Sequence, residues 1–132
     1  SVAQARKEGL GVIVLALMSN PGAKHFMKEG LVEGVKGFEW IIGESAKHKA
    51  DGFVVGATNP PEQLRICREL AGNEAVFLVP GIGRQGGDAE AALKILGENV
   101  LVNVGRDVLY SDDPQEKAKE YKQRFNEWMG RA

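Results

Sequence analysis

Val76-Phe77-Leu78-Val79-Pro80-Gly81-Ile82-Gly83-Arg84-Gln85-Gly86-Gly87-Asp88 is the stretch that decides the fold. Four apolar residues give way to a loop with four glycines in seven positions, and a helical pattern follows with Ala89, Ala92, Leu93 and Leu96 on one side. A short, unbroken apolar run marks a strand covered on both faces, as in a parallel sheet flanked by helices. Val12 to Leu17, Phe53 to Val55 and Val100 to Val102 repeat the pattern. The last three runs start about 24 residues apart, which suits right-handed strand-helix-strand crossovers.

Helix signals fill the gaps. Asn59 reads as an N-cap, with Pro60 at the first position, Glu62 at the third, and Leu64, Cys67, Leu70 and Ala71 on one face. Gly72 ends that helix. Asp113-Pro114-Gln115-Glu116 supplies a cap, a first-turn proline and a capping-box acid ahead of the stripe Ala118, Tyr121, Phe125 and Trp128. Asp88 starts a shorter helix, residues 23–49 hold one or two more, and residues 1–8 read as a helix tail with Val2 and Ala5 inward. The reading is four strand–helix units in an α/β design, either an open doubly wound sheet or part of a barrel.

At 132 residues the chain reads as one folded unit, 1–132, without an internal linker. With 43% hydrophobic and 27% charged residues it resembles an ordinary globular chain, which argues against disorder and disulfide scaffolds. A net charge of −1 gives no general attraction for nucleic acid or an anionic membrane, so any anion site must be local. The lone cysteine, Cys67, cannot form an internal disulfide and fits a reducing compartment; no apolar run nears the roughly 18 residues that span a bilayer. The expected location is cytoplasmic. Ser1 is neither an initiator Met nor the start of a signal-peptide pattern, a hint from which the expectation is a gene that begins upstream of it.

In either architecture ligands bind where strands end. The glycine-rich loop after Val79 can turn several backbone N–H groups toward a phosphate, and Arg106 after the last strand adds a planar, bidentate donor. Glycine-rich loops also serve simply as tight turns, and Arg106 could instead pair with Asp107 or Asp112 at the surface, for little stabilisation. Ser19 lacks a nearby base and reads as a turn or cap residue; His25 and His48 read as ordinary helix residues and Cys67 as a packed thiol. Gly81-x-Gly83-x-x-Gly86 also matches the dinucleotide fingerprint, with Asp107 about 20 residues on. Pro80 and the bulky Arg84-Gln85 pair inside the turn count against it.

These loops resemble those of one family, the archaeal-type orotidine 5'-monophosphate decarboxylases, which form UMP from OMP by removing CO2. Met18-Ser19-Asn20-Pro21-Gly22-Ala23 resembles the segment after the family's barrel strand five, and Val55-Gly56-Ala57-Thr58 the end of strand six. Pro80 to Asp88 resembles the loop after strand seven, and Val104-Gly105-Arg106 the end of strand eight. The resemblance spans nearly the whole chain and implies the C-terminal half of a (β/α)8 TIM barrel. It implies that Gln85, Arg106 and the Gly105 backbone hold the substrate phosphate, that Ser19 hydrogen-bonds the pyrimidine, and that Pro80 and Ile82 line the pocket beside the carboxylate. Arg84 receives no role beyond a rim contact. The family pattern needs no metal or cofactor.

The family's Asp-x-Lys-x-x-Asp array has no counterpart, since neither Asp51 nor Asp88 is followed by lysine at that spacing. The resemblance therefore implies a binding half without a catalytic residue of its own, inactive alone. Four strands cannot close a barrel, so an apolar inner face and two strand edges need cover from an N-terminal half-barrel or a homo-oligomer partner such as a dimer. Two other functions stay open: a non-catalytic nucleotide- or sugar-phosphate-binding half-barrel, and a dinucleotide-binding oxidoreductase domain.

Overall fold

The computed structural model describes residues 2–83 and 89–131. Helix α1 (Val2–Lys7) leads into strand β1 (Ile13–Leu17). After a single π-helical turn (Lys24–Lys28) comes a small hairpin of β2 (Leu31–Val32) and β3 (Val35–Lys36), then α2 (Gly37–Lys47). The regular units follow: β4 (Gly52–Val55), α3 (Pro61–Ala71), β5 (Val76–Pro80), α4 (Ala89–Leu96), β6 (Val100–Asn103), α5 (Arg106–Leu109) and α6 (Pro114–Trp128). β1, β4, β5 and β6 form one parallel sheet in that order.

Each apolar run identified in the sequence is a strand of this sheet. The register sets Val14, Phe53, Phe77 and Val100 side by side in one row, and Leu15, Val54, Leu78 and Leu101 in the next. Because side chains alternate along a strand, these rows face opposite ways. The first faces the helices: Phe53 and Phe77 are fully buried with their rings 6.1 Å apart, packed with Phe38 and Ile42 of α2, Leu64 and Cys67 of α3, and Leu93 of α4. The second row is open. Leu15 is 46% and Leu101 52% exposed, and Ile13, in the neighbouring row on that face, is 41% exposed. The expectation of cover on both faces is thus met on one side only among the described residues.

Some local expectations change. Helix α3 begins at Pro61 with Pro60 as its cap residue, whose carbonyl accepts the Leu64 N–H. Asn59 is no cap: it is buried, and its Nδ2 donates to Gly56 O at 2.8 Å and Leu17 O at 3.5 Å, tying the ends of β4 and β1 together. Leu70, read as inward, is 43% exposed, while Ile66 packs against the core. Ala118 likewise is exposed, whereas Tyr121 and Phe125 are buried. Residues 23–49 contain one α-helix, the π turn and the hairpin, so His25 lies in the π turn and His48 caps α2 at its C-terminus, 3.3 Å from Glu44. Asp113 caps α6 as its sequence signals, accepting the Glu116 N–H at 2.9 Å, and Gly72 ends α3 with φ 78°. The start of a helix at Asp88 lies outside the described residues.

The amino end of the sheet is tied by charge. Arg68 on α3 donates to Ala75 O at 3.0 Å, Gly72 O at 2.8 Å and Leu96 O, and its guanidinium stacks 4.4 Å from the Phe77 ring centre. One side chain thereby satisfies the end of α3, the start of β5 and the end of α4. Asp51 accepts the Val12 N–H at 2.7 Å and pairs with Arg6 at 3.0 Å, fastening α1 and β1 to β4.

Candidate functional site

All four strands are parallel, so their carboxyl ends share one rim of the sheet. A cleft of about 220 Å³ opens there, lined by Pro80, Gly81, Ile82, Asn103, Gly105, Arg106 and Asp107. Pockets for whole ligands are typically about 300–1,000 Å³, so this volume suits one group of a larger ligand. Pro80 and Asn103 are register partners at the ends of β5 and β6, which brings the two loops together. Ile82 is buried as an apolar wall, and Arg106 is exposed with no ion pair to Asp107 or Asp112 among the described residues. The Gly105 carbonyl accepts from Val108 and Leu109, so the backbone of Gly105 is held in place while α5 carries Arg106.

Asp107, the acid that follows the glycine fingerprint about 20 residues on, is otherwise engaged. Its Oδ2 accepts the Tyr121 hydroxyl of α6 at 2.5 Å. Burial, reinforced by the hydrogen bond to the Asp107 carboxylate, pushes the Tyr121 phenol up to about 12. Gly83 sits against this pair with φ 108°, a backbone conformation that favours glycine; a Cβ there would lie 3.2 Å from the Tyr121 hydroxyl and 3.4 Å from Asp107 Cβ, a tight fit.

Ser19 ends up at the other side of the rim. β1 and β6 are the two edges of the sheet, three strand spacings or about 14 Å apart. Ser19 lines a broader, polar depression of about 750 Å³ with Asn20, Lys24, Lys28, Lys36 and Gln63 among its other walls. Gly56 lets it approach β4, since a Cβ there would come within 2.9 Å of Ser19 Oγ. The Oδ1 of buried Asn59 and the Oε1 of Gln63, nearby on the same rim, have no hydrogen-bond partner among the described residues.

Of the residues singled out from sequence, Pro80, Ile82, Gly105 and Arg106 therefore share one cleft, and Ser19 stands across the rim from them. Gln85 and Arg84 lie outside the described residues. Asn103 was missed. The strand's period of two marks it as the polar end of the open-face series that includes Leu101, and that signal could have found it. Cys67 is fully buried, and burial pushes its thiol up to about 12, which removes it as a nucleophile. No group of three His, Cys, Asp or Glu side chains among the described residues could hold a metal ion, and no helix is long and apolar enough to cross a membrane.

Parallel strands, helices on one face and clefts gathered at the strands' carboxyl ends define a strand–helix protein of barrel type. The family model described as orotidine 5'-phosphate decarboxylase / HUMPS matches residues 1–121. The orotidine 5'-phosphate decarboxylase of Methanocaldococcus jannaschii is 38% identical over 125 residues, covering 92% of this chain and 53% of the relative. That of Haloarcula marismortui is also 38% identical, covering 89% of this chain and 50% of the relative. The crystal structure of the M. jannaschii enzyme complexed with inhibitor BMP superposes with a TM-score of 0.78 at 37% identity, over 92% of this chain and 52% of the enzyme. The chain belongs to the orotidine 5'-phosphate decarboxylase / HUMPS family, and its fold is half of a (β/α)8 barrel, four parallel strand–helix units assigned by their loops to the C-terminal half. It spans about half the length of the relatives it matches.

Proposed function

We propose that this chain is the substrate-phosphate and pyrimidine-binding half of an orotidine 5'-monophosphate decarboxylase. The observation that carries the reading is the cleft at the carboxyl ends of β5 and β6, where Gly81, Ile82, Gly105 and Arg106 converge. Arg106 grips the phosphate with two parallel N–H donors, the Gly105 N–H adds a backbone donor, and Gln85 is the further phosphate ligand that the resemblance implies. Pro80 and Ile82 form the apolar wall beside the carboxylate. Ser19 meets the pyrimidine from the far side of the rim.

Decarboxylation breaks the bond from C6 to the carboxylate, CO2 departs, and the electron pair left on C6 takes a proton. In the family that proton comes from the lysine of the Asp-x-Lys-x-x-Asp array. These 132 residues hold the grip without that donor, so they bind ground state and transition state nearly alike and give little rate enhancement. The reaction uses no metal or cofactor. The open apolar face and the exposed edges of β1 and β6 are the surface for an N-terminal half-barrel or for a second copy in a dimer, in the cytoplasm.

A non-catalytic nucleotide- or sugar-phosphate-binding role is the second reading, favoured by the same missing array. A dinucleotide role is weakened by Asp107, whose carboxylate is already bonded to Tyr121. Calorimetric titration ranks the three. UMP binding that is lost in Arg106→Ala supports the phosphate grip, and failure of the 132-residue chain to bind UMP overturns it. NAD binding abolished by Asp107→Ala establishes the dinucleotide role instead.

A further inference from the structure

The proposed phosphate cleft has a support that lies behind it, on a helix that contributes nothing to its lining. The Tyr121 hydroxyl, on α6, bonds Asp107, the residue next to Arg106. The same hydroxyl closes the space beside Gly83, the third glycine-loop residue after β5. One loop of the cleft is thus bonded to this oxygen atom and the other runs close beside it, with no room between for a side chain at Gly83 without a neighbour giving way. Tyr121 is itself fixed: it is 9% exposed, its ring lies 5.4 Å from that of Phe125, and Phe125 stacks on Trp128 at 5.7 Å.

We infer that Tyr121 is a positioning residue for phosphate recognition, which through Asp107 and Gly83 sets the spacing between Arg106 and the Gly81–Gly83 turn. The inference rests on the proposed phosphate grip and extends it to residues that touch no ligand.

Charge gives the arrangement its purpose. Asp107 lines the cleft, and a free carboxylate there would repel a phosphate or swing to the neighbouring guanidinium and neutralise it. Donation from Tyr121 holds that carboxylate to the back of the cleft. The phenol stays a neutral donor through the whole physiological range, because it loses its proton only near 12. Arg124 and Lys117 lie over the Tyr121 ring, at 5.7 Å and 6.0 Å from its centre, and neither competes with Asp107 for the hydroxyl.

The test compares UMP with uridine by calorimetry, because only UMP carries the phosphate. Tyr121→Phe is expected to weaken UMP binding about tenfold, the scale of one hydrogen bond to a charged group, and to leave uridine binding unchanged. Asp107→Asn keeps an acceptor for the hydroxyl and is expected to stay within about threefold of the parent; Asp107→Ala removes the repelling carboxylate but also the bond that spaces the two loops, and is expected to weaken UMP binding with Tyr121→Phe. If Tyr121→Phe fails to fold, the contrast between Asp107→Asn and Asp107→Ala decides. UMP affinity unchanged in Tyr121→Phe, or UMP and uridine weakened equally, overturns the positioning role while leaving the phosphate grip standing. A parent chain that binds no UMP overturns the grip, and this inference with it.

Discussion

The two faces of the central sheet are built from the same kinds of residue and meet different fates. On the helix side Phe53, Val55, Phe77 and Val79 are entirely buried; on the other side Leu15 and Leu101 stand about half exposed. Nothing in the apolar strands separates them, because Leu78 and Phe77 are neighbours in one run. The difference lies in what covers each face: four helices on one side, and nothing among the described residues on the other. An open apolar face of this kind agrees with the proposal that an N-terminal half-barrel or a second copy covers it.

That contrast sets the scale of the mutational effects. Phe77→Ala removes a ring at the centre of the covered face and its stacking with Arg68, and is expected to cost about 3–5 kcal/mol in urea unfolding. Arg68→Ala leaves three carbonyls at the amino end of the sheet without their donor, and about 2 kcal/mol of stability is expected to go with it. Leu101→Ala on the open face is expected to shift unfolding of the chain alone by no more than about 0.5 kcal/mol. A loss from Leu101→Ala as large as that from Phe77→Ala breaks the contrast and shows that the open face is covered in solution; a loss that grows with protein concentration assigns the cover to a second copy.

The smallest effect expected is a pH dependence at the amino end. The hydrogen bond from Val12, helped by Arg6, holds the Asp51 carboxyl below its ordinary value. Its contribution is complete above the unfolded value of about 3.9 and is lost as pH falls through the lower folded value. Asp51→Asn is expected to lower stability slightly at neutral pH and to converge with the parent below about pH 4, which flattens the acid side of the profile, as thermal melts across that range would show.

Much of this was legible in the residues. The four apolar runs became the four strands to within a residue, and Asp113-Pro114 capped α6 through the expected side-chain bond. The covered face was not legible, since an apolar run looks the same whether helices or a missing half of the barrel lie over it. The β2–β3 hairpin escaped because its turn places Glu33 at φ 53° beside Gly34 at φ 86°, and glutamate seldom signals a left-handed position. Asn59 looked like a cap because its type favours caps; its amide serves instead a carbonyl 42 residues away, on β1. Within the site, Arg106, Gly105, Pro80 and Ile82 could be read from their places after the strands. The bond from Tyr121 to Asp107 could not, because it joins two elements whose meeting depends on how α6 packs.

CO2 release from OMP tests the central claim most directly, that the chain holds the grip and not the proton donor. The 132-residue chain alone is expected to release none above the uncatalysed background, and to release it once mixed with the part of the M. jannaschii relative that it does not span. Release by the chain alone, abolished by Arg106→Ala, would contradict the account.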